Sequence, residues 1–224
     1  MLTQLFQGPY TLFVLLGITL SLIYWLRQGR SDSRILIIYF GAIGGAFLGA
    51  KFAYLLAEGW LHTGPDWWRY WLVGKSITGA LLGGFAGVEL FKKLLSYQKP
   101  TGDRFALIIP LGISMGRLGC LTQGCCQGAL LADGSHWPAV PVEIGFNLGI
   151  WLVFLLIRNR PFARNQLFHL YLIAYGLFRF GHEFLRATPK TIGPLSAYQL
   201  IALSMCLIGL IAFQRRKSGA ENLA

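Results

Sequence analysis

Charge is scarce in this chain. Only 13% of its 224 residues are Asp, Glu, Lys or Arg, and nine of them are acidic. Soluble domains carry about 25% charged residues. That shortage, with 54% hydrophobic residues and a mean hydropathy of +0.53, excludes an ordinary soluble domain. Cysteine is sparse too, and four are too few for a disulfide-built scaffold. The adjacent pair Cys125-Cys126 fits no usual zinc spacing, and no metal or soluble-cofactor motif stands out. Residues 1–9 hold no Lys or Arg, so the first apolar run is expected to be a permanent span rather than a cleaved leader. A net charge of +11 would suit nucleic acid, but the basic residues sit in short clusters between apolar runs. That is the pattern of cytoplasmic membrane loops, so no nucleic-acid partner is expected.

What the chain does have is apolar runs of bilayer-spanning length. The expected fold is all-α, a single polytopic membrane domain over 1–224. Seven spans are read at about 10–26, 35–57, 76–95, 104–121, 141–157, 167–186 and 195–213. The fourth is interrupted by Pro110, Gly112, Gly116 and Gly119. Seven spans place Arg27, Arg30, Arg34, Lys92, Lys93, Lys99, Arg104, Arg158, Arg160, Arg164, Arg215, Arg216 and Lys217 on one side. The positive-inside rule then puts the N-terminus outside and the C-terminus in the cytoplasm. Gly41, Gly45 and Gly49, with Gly79, Gly83 and Gly87, repeat at four-residue spacing, which lets helices pack closely. Gly79 is set apart from the rest by its polar neighbours Ser76 and Thr78. Trp60, Trp67, Trp68 and Trp71 read as an interfacial anchor.

Residues 116–128 carry an arginine and three cysteines among glycines. A charge at membrane depth costs about 2.5 kcal/mol or more, so Arg117 is a functional candidate and the segment reads as a pocket wall. A second polar stretch follows at Tyr175 to Arg186. On a helix Arg179, His182, Glu183 and Arg186 share one face. Two arginines against one glutamate leave positive charge for an anion, and a guanidinium suits phosphate because it donates two parallel hydrogen bonds. Glu143 opens the fifth span, either as a helix N-terminal carboxylate or as a partner or base for the arginines. Lys51 and Tyr54 lie on span two, where Lys51 snorkels outward or joins the site. Glu89 is expected to pair with Lys93, and Cys206 to be an inert packing residue.

Cys120, Cys125 and Cys126 leave three readings open. Arg117, three residues from Cys120, would favour a reactive thiolate. An oxidising exterior would favour a disulfide between Cys120 and Cys125 or Cys126. Inert packing is the third.

The chain resembles the prolipoprotein diacylglyceryl transferases. Gly116, Arg117, Gly119, Gly124 and Gly128 are read against a family pattern that resembles Gly-Arg-x-Gly-Asn-Phe-x-Asn-x-Glu-x-x-Gly. Gly176 to Arg186 is similar almost throughout to Gly-Leu-Phe-Arg-Phe-x-x-Glu-Phe-x-Arg. Gly49-Ala50-Lys51-x-x-Tyr54 and Pro138 to Glu143 resemble two further motifs. The departures are Cys120 and Gln123 for asparagines, Cys125 for a glutamate, and Thr78 for a histidine. Tyr10 is a weak counterpart of an early tyrosine.

The resemblance implies a seven-span bacterial inner-membrane enzyme with an outward-facing site. It would move diacylglyceryl, or a related lipid group, from phosphatidylglycerol to a protein or small thiol, or to another acceptor. Arg117, Arg179 and Glu183 follow from the resemblance as catalytic candidates, and Cys120, Cys125 and Cys126 join the expected catalytic set on their own thiol chemistry. Arg117, Arg179, Arg186, Glu143, Lys51, Tyr54, Thr78, Gly79, Gly128 and His182 are the implied lipid-binding set. No cofactor is implied. The attacking thiol belongs either to an external acceptor or to Cys120 or Cys125 in a covalent intermediate. A membrane thiol redox protein and a non-catalytic lipid-binding or transport relative are the rival functions.

Overall fold

A backbone surrounded by hydrocarbon must satisfy its own hydrogen bonds, and apolar runs of this length do so as helices. The computed structural model describes residues 8–30 and 32–221, and among them it has no strand. The long helices are α1 (Pro9–Gly29), α2 (Arg34–Ala57), α4 (Ile77–Leu94), α5 (Gly102–Thr122), α6 (Ala139–Ile157), α7 (Leu167–His182) and α8 (Ala197–Glu221). A short helix, α3 (Trp67–Val73), lies between α2 and α4. Five helices, α1, α2, α5, α6 and α8, are long and apolar enough to cross a membrane. Of the other two, α4 carries Glu89, Lys92 and Lys93, and α7 is 16 residues long. Tyr10 falls in α1, but its side chain lies outside the described residues.

The outer surface is apolar and much of the polar chemistry is inside. Phe40, Phe47, Leu48, Phe52 and Leu156 are exposed, whereas Glu143, Asn147 and Gln199 are wholly buried. Trp25 anchors the core between α1, α2 and α5, stacked 5.0 Å from Tyr39 and tilted 4.4 Å from Phe105.

Helices α2 and α4 meet backbone to backbone. A Cβ added at Gly49 would lie 2.3 Å from the Gly79 carbonyl oxygen, and one at Gly83 would lie 2.2 Å from that of Gly45. Gly79 belongs to this seam like its neighbours, since its own Cβ position is 2.3 Å from the Gly49 oxygen. The polar residues beside it serve the helix start. Ser76 Oγ accepts from Gly79 N at 3.3 Å and pairs with Thr78 Oγ1 at 2.9 Å.

Three expectations change. First, α5 runs unbroken through Pro110 and its glycines, and irregular backbone begins only after Thr122. A proline removes one intrahelical bond, and neighbouring helices hold the rest in line. Second, α7 stops at His182, a 3₁₀ turn covers Glu183–Leu185, and Arg186 is extended. The expected four-residue helical stripe therefore ends early, with Arg186 held by backbone pairing instead. Ala129 N donates to Leu185 O at 2.8 Å, and Gly128 bridges to Arg186. Third, Glu89 pairs with Lys92 at 3.4 Å, one residue nearer than Lys93.

A carboxylate fixes α7 against α5 at the opposite end. Asp103, in the first turn of α5, accepts from Asn165 N at 2.7 Å and from Leu167 N at 3.0 Å. It thereby occupies a backbone donor of α7's first turn that no intrahelical carbonyl can reach.

Candidate active site

Helices α5, α6 and α7 bring five charged residues together. Arg117 Nη2 lies 2.9 Å from Glu143 Oε2. Arg179 Nη1 and Arg186 Nη1 approach the same oxygen at 3.6 and 3.9 Å. Arg179 Nη2 donates to Glu183 Oε2 at 2.8 Å, and Arg186 Nε lies 3.6 Å from that oxygen. Both carboxylates are buried, so Glu143 is the hub of the cluster rather than a plain helix N-terminal charge.

Uncharged partners hold the hub in place. Tyr175 donates to Glu143 Oε1 at 2.6 Å, and Tyr171 donates to Asn147 Oδ1 at 2.6 Å. Asn147 Nδ2 returns to the Glu143 carbonyl at 2.8 Å. Glu143 and Asn147, like Tyr171 and Tyr175, are four apart on their helices, so each pair presents one face. Thr188 donates to Glu183 Oε1 at 2.5 Å, Ser196 Oγ reaches that oxygen at 3.4 Å, and Lys190 Nζ binds the Glu183 carbonyl at 2.6 Å. The sequence reading missed Tyr171, Tyr175, Asn147, Thr188, Lys190 and Ser196. The usable signal was the facing four-residue spacings on α6 and α7.

The hydrogen-bonding of the arginines is incomplete. Arg117 Nε, Arg179 Nη1, Nε and Nη1 of Arg186, and Glu143 Oε2 are buried without a well-formed hydrogen bond. All but Arg117 Nε still face an opposite charge within 3.9 Å.

Other predicted site residues find other partners. Lys51 Nζ donates to the carbonyls of Trp71 (2.7 Å), Leu72 and Gly74 (3.0 Å), which closes the C-terminal end of α3. Tyr54 packs its ring against Gly74. Gly128 is needed for close approach, because a Cβ there would meet the Trp137 oxygen at 2.3 Å. His182 Nε2 accepts from Trp137 Nε1 at 3.2 Å, and its ring stacks on Phe178. Cys206 is buried with Sγ 3.5 Å from Ile173 O, the packing role expected of it.

The three loop-end cysteines converge. All are free thiols, and their sulfurs lie within 4.8 Å of one another. Gly124 and Cys126 both take left-handed backbone, with φ of 62°, which turns the chain back over the end of α5. Cys125 N bonds to Cys120 O at 3.2 Å. A hydrogen bond with the Cys120 thiol, helped by Arg117 and Arg186, holds the Cys126 thiol down at about 5 against the effect of burial. Burial pushes the Cys125 thiol up. Cys126 and Arg186 line one pocket of about 440 Å³ together with Glu58, His136 and Thr188. Burial raises the Glu58 carboxyl, which hydrogen-bonds Tyr198. A second cavity, about 560 Å³ and mostly apolar, lies between α1, α2, α4 and α5.

Among the described residues the protein is helical, with five helices of membrane-crossing length and a buried arginine cluster at one end, the pattern of an integral membrane protein with a charged internal site. Residues 7–215 match the family model described as prolipoprotein diacylglyceryl transferase, and the chain belongs to that family. It is accordingly a transferase. It is 27% identical to phosphatidylglycerol–prolipoprotein diacylglyceryl transferase 2 of Clostridium perfringens, covering 93% of this chain and 90% of that one. It is 28% identical to the like-named transferase of Mannheimia succiniciproducens over 95% and 91% of the two chains. The Pasteurella multocida transferase is 28% identical over 96% and 91%.

Proposed function

We propose that this enzyme takes diacylglyceryl from phosphatidylglycerol and transfers it to a thiol. The seven long helices are read as seven spans of a bacterial inner membrane, N-terminus outside, with the arginine cluster toward the outer leaflet. The supporting pattern is that basic residues gather at the C-terminal ends of α1, α4 and α8 and in the loops after α1, α4 and α6, at the end opposite the cluster.

The observation that carries the reading is the convergence of three buried guanidiniums on two buried carboxylates. Three guanidiniums against two carboxylates leave one positive charge. A phosphodiester headgroup brings one negative charge and oxygen acceptors for those donors. Arg117, Arg179 and Arg186 hold the phosphate, while Glu143 and Glu183 hold the arginines. The apolar cavity suits acyl chains. The thiol sulfur attacks the glyceryl carbon, the carbon–oxygen bond to phosphate breaks, and glycerol phosphate leaves. Charge grows on the phosphate as it departs, and cations already in place, with Lys190 nearby, stabilise it without reorganising.

The test is transfer of labelled diacylglyceryl from phosphatidylglycerol to a cysteine-containing peptide in nanodiscs. Labelled peptide is expected, with no transfer from a neutral lipid. Label recovered on the enzyme's own cysteines would replace the external acceptor with a covalent intermediate. An enzyme that transfers equally well after Arg179→Ala would overturn the phosphate clamp.

A further inference from the structure

The thiol cluster has a geometry that the transferase reading leaves unused. Three sulfurs within 4.8 Å of one another, two of them exposed, stand where the chain turns away from α5. A zinc–sulfur bond of about 2.3 Å puts two thiolates of a tetrahedral site about 3.8 Å apart. The side chains need to close by only about 1 Å to reach that spacing. Linear spacing hid the site, because one left-handed residue brings Cys126 back beside Cys120.

We propose that Cys120, Cys125 and Cys126 bind a zinc ion as three thiolates and leave its fourth position open to the acceptor thiol. Soft sulfur ligands select zinc over magnesium or calcium, and three protein ligands with one open position is the arrangement of catalytic rather than structural zinc. Three thiolates and one Zn²⁺ carry a net single negative charge, and Arg117 and Arg186 lie beside the cluster. The site opens on the pocket that Cys126 shares with Arg186 and Glu58, so a sulfur bound there is next to the arginine cluster.

This inference rests on the transferase reading for its second half. A thiol that coordinates zinc is deprotonated outright. The acceptor's S–H bond breaks, a Zn–S bond forms, and the proton passes to the Glu58 carboxylate. The bound thiolate then forms the S–C bond to the glyceryl carbon. The C–O bond breaks, and its electron pair stays on the phosphate oxygen held by the arginines. No oxidant or reductant is required.

The first experiment needs no lipid. Purified wild-type protein in nanodiscs is assayed for bound zinc by elemental analysis, and by Co²⁺ substitution for sulfur-to-cobalt charge-transfer bands. One zinc per chain is expected. Cys120→Ser and Cys126→Ser are expected to weaken zinc by more than the roughly 10–100-fold that second-shell changes alone cost. Cys206→Ser is the control and should keep it. Wild-type protein without zinc above the level of a Cys120/Cys125/Cys126→Ser variant, or with an intact mass showing a disulfide, overturns the site. The second experiment compares transfer before and after chelation and with zinc restored. Loss on chelation and rescue by Zn²⁺ is expected. Stoichiometric zinc with transfer indifferent to its removal overturns the acceptor-thiol role alone. If transfer is absent in every arm while zinc is bound, the transferase reading fails and the metal site stands.

Discussion

The α2–α4 seam and the α5–α6–α7 end are two ways of burying backbone and charge. At the seam, glycines bring carbonyls to where a Cβ would sit, and nothing needs an outside partner. At the other end three arginines converge on two carboxylates and keep one positive charge in excess. The first region is complete in itself. The second is assigned an anion by the proposed function, so on that reading the same molecule separates the part that holds it together from the part that works.

Substitutions can test that separation. The largest effect is expected for Arg179→Ala, with transfer down about 10²–10³-fold, the cost of losing one preorganised charge-stabilising donor. Arg179→Lys should recover little of it, because a point charge cannot replace a planar fork. Steady-state transfer of labelled lipid checks both. Gly83→Ala should do the opposite, lowering stability by about 1–3 kcal/mol through overpacking. Transfer per folded molecule should hold, and thermal unfolding in detergent would expose any failure of this. A large activity loss at unchanged stability would mean that the seam is not merely structural. Tyr175→Phe lies between the two. It removes a hydrogen bond to a buried carboxylate, about 1.5–3 kcal/mol, so unfolding temperature and transfer should both fall. The smallest effect distinguishes neighbouring thiols. In chelator-treated, zinc-free protein at pH 6.5, iodoacetamide should label Cys126 faster than Cys125, since thiolate is the reacting form and Cys126 sits near 5 while Cys125 is raised. Peptide mapping reads the ratio, and faster labelling of Cys125 would remove the electrostatic coupling of Cys126 to Arg117 and Arg186.

Arg117, Arg179, Arg186 and Glu183 were legible because charge is conspicuous in an apolar run. Glu143 was visible as a residue but not as a hub, since its partners come from two other elements and from a loop. Lys51 shows the limit of motif matching. It sits on a family-like motif, yet here it binds three carbonyls at the end of α3. The three cysteines were legible as a group, but the approach of all three sulfurs to one another depends on a left-handed turn that spacing does not encode. The helices themselves were readable from hydropathy, whereas the continuity of α5 through Pro110 depended on neighbours that no local pattern reports.

Asp103 gives the arginine site a mechanical property. It pins the feet of α5 and α7, two helices that run the same way toward the cluster. From the pinned feet Arg117 is about 21 Å up one rod, and Arg179 about 18 Å up the other, at 1.5 Å per residue. With their feet fixed, the rods cannot slide past each other without breaking the joint, but they can splay. A splay of about 5° at the foot opens the top by nearly ~2 Å. On the proposed reading, an opening of that size changes the gap between the two guanidiniums while every helix stays intact.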